Sequence, residues 1–197
     1  MSDFNMSEFR IGSRGVNDIF VNRWSPRAMS GESLSEDELM GLFEAARWAP
    51  SSFNSQPWRF VFVTREDEAW SSFFDLLVEF NQLWARNAGA LIIVFSRKNF
   101  EHNEEFSRSH SFDSGAAWQN LALQGSLNGF VCHGIGGFDH DKARIVGNIP
   151  LEFEIEAMIA IGKPGSLDVL PERMRKSDVP SSRKDLSELV FRGKFSD

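Results

Sequence analysis

The chain has no tyrosine, a single cysteine and no long apolar run. With Cys132 alone, an intrachain disulfide is excluded. Apolar stretches such as ALIIVF, 90–95, fall far below the roughly 20 residues of a membrane-spanning helix, so we expect no membrane partner. The start MSDFNMSEFR lacks the basic and then apolar pattern of a signal peptide. These absences together predict a cytoplasmic protein.

Basic residues are also in short supply. The 21 Lys and Arg residues are outnumbered by 28 Asp and Glu, which gives a formal net charge of −7. Neutralising phosphates along a strand needs a basic face, so this balance argues against nucleic acid as the main partner.

Large apolar side chains, in contrast, are plentiful, with 19 Phe and 6 Trp. A hydrophobic fraction of 42% and a charged fraction of 25% are typical of globular proteins. A chain of 197 residues predicts one domain, 1–197, with a sizeable core. We expect part of the aromatic surface to form a subunit interface, because large apolar patches seldom stay bare.

The apolar spacing predicts alternating helices and strands. Ser35 and Glu38 form a capping box before a helix that Pro50 ends. The predicted helices are 35–49, 66–78, 81–87, 112–128 (with its start at Asp113) and 139–146. The predicted strands are 59–64, 90–95, 130–134 and 154–162. Strands bracketed by helices, without internal repeats, indicate an α+β or α/β sandwich.

The two ends of the chain have a different character. Residues 1–15 are polar, and residues 163–185 carry three prolines and several charges, so both are predicted to be extended surface segments. The tail becomes apolar again at LSELVFRGKF, 186–195, which is typical of a segment that docks on a second subunit.

RWSPR, 23–27, is a candidate phosphate site. The guanidinium groups of Arg23 and Arg27 present forked donors that match phosphate oxygens, and the hydroxyl of Ser25 adds another. A solvated helix end is the alternative for this motif alone.

WAPSSFNSQPWRF, 48–60, places uncharged hydrogen-bonding side chains between two prolines, among them Ser51, Ser52, Asn54 and Gln56. A plain connection needs only one or two turn residues, so this bend resembles a surface for a polar ligand.

GIGGFD, 134–139, lies between a predicted strand and a predicted helix, where glycine lets the backbone approach a ligand closely. The third glycine of a dinucleotide fingerprint is replaced by Asp139, so a nucleotide-binding module is disfavoured. A tight strand-to-helix turn is the alternative.

Other clusters predict no chemistry. His102 and His110 lie among glutamates without ligand spacing, so no metal site is predicted. Ser111 and Asp113 flank no nucleophile elbow, and Cys132 is expected to be a small core residue. The basic cluster 173–184 is typical of solvated surface, although Arg183 or Lys184 could close over a phosphate.

Taken in order, these segments resemble the FMN-dependent nitroreductase family. The matching stretches are RWSPR, ARWAPSSFNSQPWRFVFV, NQLWARNAGALIIV, DSGAAWQNLALQGSLNGF, GIGGFDHDKAR, IAIGKPG and SRKDLSELV, within residues 18–195. The resemblance implies an α+β three-layer sandwich, with a mainly antiparallel central sheet flanked by helices and a tail exchanged between subunits. It also implies a homodimer with FMN sites at the interface.

The resemblance assigns roles at that site. Arg23 and Ser25 would grip the FMN phosphate, Arg27 would approach the pyrimidine edge, and the backbone N–H of Gly136 would face N5. The bend would reach the FMN held mainly by the other subunit. The residues expected to bind the cofactor are Arg23, Trp24, Ser25, Arg27, Pro50, Ser51, Ser52, Asn54, Asn81, Gly134, Ile135, Gly136, Gly137, Arg183 and Lys184. Trp24 departs from the family, where many members have a basic residue.

The resemblance further implies a chemistry carried by the flavin, with no side chain as a dedicated acid or base. NADH or NADPH would reduce FMN, and a nitroaromatic, quinone or related small acceptor would then take the electrons in a ping-pong cycle. Alternatives within the fold are enoyl reduction, dehalogenation or consumption of the flavin. A protein that stores or senses FMN without turnover is the alternative of another class.

Overall fold

The computed structural model describes residues 5–195, and its central element is a four-stranded sheet. The strands are β1 (Trp58–Thr64), β2 (Ala90–Arg97), β3 (Val131–Ile135) and β4 (Phe153–Gly162). Their order is β1-β2-β4-β3, and every neighbouring pair is antiparallel. All four predicted strands and the antiparallel α+β sheet are therefore confirmed. The stretch 1–4 of the predicted N-terminal surface segment lies outside the described residues.

Helices cover both faces of the sheet, which confirms the three-layer arrangement. They are α1 (Asp18–Asn22), α2 (Glu36–Arg47), α3 (Trp70–Phe74), α4 (Glu79–Ala85), α5 (His110–Leu127), α6 (His140–Val146) and α7 (Glu172–Arg175). Leu42 of α2 and Leu121 of α5 pack on one face, together with Ile92. Phe73 of α3 and Trp84 of α4 pack on the other face with Ile93. Since side chains alternate across a strand, β2 supplies both cores and is buried almost throughout.

Helices α3 and α5 differ from the sequence prediction for reasons that the structure shows, and the other predicted helices are displaced at their ends by one or two residues. The predicted helix 66–78 shortens to α3, because the carboxylate of Asp67 accepts the backbone N–H of Thr64 at 2.6 Å and forms a turn. Leu77 then forms a bridge with Phe138 in place of a helical turn. Helix α5 begins three residues before the expected Asp113, whose carboxylate bonds outside the helix.

The tail is more firmly attached than predicted. The expectation of an extended surface segment at 163–185 is wrong for its middle, where Leu170, Met174 and Asp178 are buried. Pro164 pairs with Met29, and a Cβ atom at Gly165 would lie 2.5 Å from the Met29 backbone. The tail therefore lies directly against the segment that follows RWSPR. Across residues 5–195, no helix is both long and apolar enough to cross a bilayer.

Candidate active site

A cleft of about 270 Å³ lies between the RWSPR segment and the tail. We call it the arginine cleft. Its lining residues are Arg10, Arg23, Trp24, Ser25, Arg27, Ser177, Asp178, Val179, Ser181 and Arg183. The structure thus brings Arg183 to the four cofactor-binding residues expected at 23–27. Lys184 is not among the lining residues, and its Nζ lies 3.9 Å from Glu188 Oε2.

The local geometry presents the Arg23 and Ser25 side chains together. Helix α1 ends as the Arg23 N–H donates to the Ile19 carbonyl at 3.1 Å, after which the backbone is extended. Arg23 Nη1 then donates to Ser25 Oγ at 3.1 Å. Two of the side chains predicted to bind phosphate are therefore hydrogen-bonded to each other.

Of the arginines that line the arginine cleft, Arg10, Arg23 and Arg183 repel one another electrostatically. The pKa of Arg23 is lowered first by burial and then by the charge of Arg183. The pKa of Arg10 is lowered by burial, by Arg183 and by Arg23. The one carboxylate among the lining residues, Asp178, is already bonded to the protein. Like charges held together without a free counter-charge are typical of an anion-binding site.

Arg10 is a site residue that sequence reasoning missed. Its Nη1 donates to the carbonyls of Val21 (3.1 Å) and Arg23 (2.8 Å), and its Nε donates to the Ser181 carbonyl at 2.7 Å. It therefore joins the RWSPR segment to the tail. A separation of 171 residues from Ser181 leaves no local signal for this contact.

The glycine-rich turn after β3 contacts the predicted Asn81. Asn81 Nδ2 donates to the Gly137 carbonyl at 2.9 Å, and a Cβ atom at Gly137 would lie 2.7 Å from that nitrogen. Trp84 Nε1 donates to Asn81 Oδ1 at 3.3 Å, which fixes the orientation of the amide. At Gly136 a Cβ atom would meet nothing within 4 Å, so this exposed backbone is open to a ligand.

His133 connects this turn to the RWSPR segment. Its Nδ1 lies 3.0 Å from the Pro26 carbonyl, and its ring centroid lies 4.6 Å from that of Trp84. Burial is the main cause that lowers the pKa of His133, which favours a neutral ring donating its Nδ1–H to Pro26. The strand carrying Gly134 and Ile135 is thereby fixed beside the RWSPR segment.

The bend at 50–57 is strained. Phe53, Asn54 and Gln56 all have positive φ, at 51°, 54° and 46°. Non-glycine residues adopt this region at a cost, so the surroundings must hold them there. Ser51 Oγ accepts the Gln56 N–H at 3.0 Å, which closes the bend on itself.

Asp113 of α5 anchors the bend, and sequence reasoning missed this role too. Its Oδ2 accepts the Ser52 N–H and the Ser109 hydroxyl, each at 3.0 Å, and the residue is only 4% exposed. Because Ser52 and Asp113 are 61 positions apart, no motif signals the contact.

The bend and the arginine cleft do not meet within this chain. Pro50, Ser51, Ser52 and Asn54 are all absent from the residues that line the cleft. Phe53, at the tip of the bend, is 82% exposed. The predicted cofactor contacts in the bend are therefore separate from those in the arginine cleft.

A larger cavity, of about 1140 Å³, adjoins the arginine cleft on the side of the N-terminal segment. It shares Arg10, Trp24 and Asp178 with the cleft, and Asn81 and the glycine-rich turn line neither of the two. The arginine cleft is the better candidate for an anionic ligand because it collects the cationic side chains.

A buried polar cluster lies at the end of β2. Ser96 Oγ donates to Glu156 Oε1 and lies 2.7 Å from His110 Nδ1. Glu156 is the extra residue of a bulge in β4, since Val94 pairs with Ala157 and the next residue pairs with Ile155. Ser96 is 0% exposed, so a substrate cannot reach it as a nucleophile.

Comparison with known proteins places this geometry in context. A family model described as the nitroreductase family matches residues 21–163. A solved structure described as an oxidoreductase containing FMN is 41% identical, with a TM-score of 0.91, and the match covers 95% of this chain and 96% of that one. Protein DrgA of Synechocystis sp. is 29% identical over 78% of this chain and 80% of its own length. An oxygen-insensitive NADPH nitroreductase of Helicobacter acinonychis is 40% identical over 73 residues, which is 35% of this chain and 32% of that protein.

Proposed function

The chain belongs to the nitroreductase family of oxidoreductases, and we propose that it uses FMN to transfer electrons from NADH or NADPH to a small acceptor. The acceptor class we propose is a nitroaromatic, a quinone or a related oxidised molecule. When bound, FMN would supply the hydride acceptor and donor, its N5.

The observation that carries this proposal is the convergence of Arg23, Arg183 and Ser25 on one cleft. Forked guanidinium donors and a hydroxyl fit a phosphate, and the cleft of about 270 Å³ leaves room for one. The described relative that contains FMN supports the choice of ligand, since its match covers nearly the whole chain.

We assign the remaining cofactor contacts by their place around the cleft. Arg27, beside Ser25, would approach the pyrimidine edge and favour negative charge there. Asn81 donates to the Gly137 carbonyl, and the N–H of the neighbouring, exposed Gly136 would face N5. Trp24 lines the arginine cleft, and His133 holds the strand that carries Gly134 and Ile135 beside the RWSPR segment. Lys184, which pairs with Glu188, would need to reorient to reach the phosphate.

The bend at 50–57 completes the site of a second chain in this proposal. Ser51, Ser52 and Asn54 do not reach the arginine cleft of their own protomer, although Asp113 holds the bend in a strained form. Exposed apolar side chains lie in the bend at Phe53 (82%) and near it at Trp48 (74%) and Phe112 (81%), as expected of a surface that a partner covers. A homodimer would therefore enclose two equivalent sites.

One cleft would serve the nicotinamide and the acceptor in turn, which predicts ping-pong kinetics. The described side chains near the arginine cleft provide charge and orientation, and no dedicated acid or base is required of them. The NADPH nitroreductase relative supports a nicotinamide reductant.

Flavin titration tests the proposal. Apoprotein is titrated with FMN and with riboflavin, which lacks the phosphate, and the quenching of flavin fluorescence is followed. Arg23→Ala should weaken FMN binding about 10- to 100-fold, as expected for a lost charged hydrogen bond, and should leave riboflavin binding almost unchanged. Arg173→Ala removes an equal charge from an exposed part of the tail and is the matched control. A wild-type apoprotein that binds no FMN would refute the proposed function.

Two further measurements test assembly and turnover. Light scattering of the FMN-loaded protein should give the mass of a dimer, and a loaded monomer would contradict the shared site. Stopped-flow mixing with NADH or NADPH should bleach the flavin absorbance, whereas a storage protein would leave it oxidised. Assays with nitroaromatic, quinone and enal acceptors then separate nitroreduction from enoyl reduction.

A further inference from the structure

Asp178, three residues beyond α7, is a fully buried carboxylate beside the arginine cleft. It is 1% exposed, and its Oδ1 accepts the Arg27 N–H at 3.0 Å while its Oδ2 accepts the Ala28 N–H at 3.1 Å. Arg27 Nη1 lies 3.6 Å from Oδ1. Both carboxylate oxygens thus accept N–H groups from the RWSPR arm, by which we mean residues 23–28.

Such an arrangement has a physical requirement. Removing an ionised carboxylate from water is costly unless hydrogen bonds and an opposite charge replace its hydration. The donors that replace it belong to a segment about 150 residues earlier in the chain. Asp178 can therefore stay buried only when the tail packs against the RWSPR arm so that the Arg27 and Ala28 N–H groups reach the carboxylate.

The tail between Asp178 and Arg183 is short and fixed at intermediate points. Pro180 is buried, and the Ser181 carbonyl accepts Arg10 Nε at 2.7 Å. Arg183 Nη1 donates to Ser181 Oγ at 3.1 Å, and Arg183 lines the arginine cleft. Five residues span at most about 18 Å, so the position of Asp178 limits where the Arg183 guanidinium can lie.

We propose that Asp178 is a positioning residue that holds the tail segment 178–183 against the RWSPR arm. Arg183 is thereby kept at the phosphate end of the arginine cleft. This inference rests on the proposed function, because it concerns the same FMN site. In this proposal Asp178 acts by placing Arg183 and does not itself contact the ligand.

The sign of the effect separates positioning from simple electrostatics. A carboxylate that lines an anion site repels a phosphate, so neutralising Asp178 would tighten FMN binding if charge alone mattered. If Asp178 acts by positioning the tail, its neutralisation should instead weaken FMN binding. In Asp178→Asn, the new Nδ2 would face a backbone N–H where an oxygen now accepts, and the two arms would separate.

The test compares FMN and riboflavin affinities of Asp178→Asn with those of wild type. We expect FMN binding to weaken about tenfold and riboflavin binding to change less than twofold. Asp168→Asn is the matched control, since this tail aspartate is 84% exposed and pairs with Arg175 at 3.4 Å. It should leave the ratio of the two affinities unchanged.

A double-variant cycle adds a measurement that a general loss of stability would not alter. If Asp178 acts by placing Arg183, its substitution should cost little FMN affinity in an Arg183→Ala background. If Asp178→Asn does not fold, Asp178→Glu keeps the charge but displaces the tail by one methylene, and it should also lower the FMN-to-riboflavin ratio.

The outcomes distinguish two failures. Wild-type protein without FMN binding would defeat the proposed function and the inference together. Wild-type protein that prefers FMN, with an equal or greater preference in the folded Asp178 variant, would overturn the inference alone.

Discussion

Replacing Asp113 with alanine should loosen the bend at 50–57. The Asp113 carboxylate accepts the Ser52 N–H at 3.0 Å, and a hydrogen bond to a charged group contributes about 1.5–3 kcal/mol. Three non-glycine residues in the bend have positive φ, and each costs about 1 kcal/mol. The strain is therefore about as large as the anchor, so a bend without Asp113 should relax.

Hydrogen exchange measures this directly in the flavin-free protein. With a loss of about 2 kcal/mol, the Ser52 amide should exchange about 30-fold faster in Asp113→Ala than in wild type. Asp139→Ala is the control, because Asp139 also accepts a backbone N–H, that of Lys142 at 3.0 Å, but at the start of α6. It should leave the exchange of peptide 50–57 unchanged.

Equal protection of peptide 50–57 in Asp113→Ala and wild type would refute the reasoning, because the strain would then be held by other contacts. If the bend does reach the flavin of a second chain, Asp113→Ala should also weaken FMN binding. Faster exchange with unchanged FMN affinity would instead remove the bend from the site and leave the anchoring role intact.

Three further predictions concern the core around β3. A Cβ atom at Gly125 would lie 2.3 Å from the Cys132 sulfur, so Gly125→Ala should lower the melting temperature by about 2–8 °C. The control is Gly41→Ala in helix α2, where a Cβ atom would meet nothing within 4 Å, and this variant should raise the melting temperature. Adding Cys132→Ala to Gly125→Ala should restore stability, and no recovery would contradict the clash. Burial raises the pKa of the Cys132 thiol to about 12 from its ordinary value of 9.0. The contribution of this thiol to the free energy of unfolding is therefore fully present below pH 9.0 and is lost as the pH rises toward 12. At pH 8 a thiol reagent should label Cys132 only after the protein unfolds. Burial lowers the pKa of His133, so the unfolded chain takes up a proton at a higher pH than the folded chain does. The free energy of unfolding should therefore fall as the pH drops below about 6.5. In thermal melts from pH 7 to pH 5, the melting temperature of His133→Gln should fall less than that of wild type.

Local sequence patterns predicted most of the secondary structure. Each strand follows from a run of apolar residues between turn residues, and the capping box of Ser35 and Glu38 marks the first residue of α2. The pattern failed at 66–78, because apolar periodicity cannot reveal that Asp67 would bond to Thr64 or that Leu77 would pair with Phe138. Those interactions are decided by tertiary contacts.

The candidate site was predictable where its chemistry is carried by motifs. RWSPR and the glycine-rich turn could be recognised as segments, and the structure places Arg183 in the same cleft as Arg23. The supporting residues Arg10, Asp113 and Asp178 could not be predicted. Each acts through a contact with a residue distant in sequence, and a single arginine or aspartate has no distinctive spacing.

The bend at 50–57 and the RWSPR arm are held in place by the same kind of contact. The bend and the RWSPR arm both expose polar side chains, so apolar packing of those side chains cannot fix their shape. In each case a nearly buried aspartate, Asp113 or Asp178, accepts backbone N–H groups of the loop. A carboxylate bonded to main-chain amides is directional, and in a buried position it is costly to leave unpaired. These carboxylates therefore hold both loops in one conformation, which would reduce the ordering cost of binding a ligand.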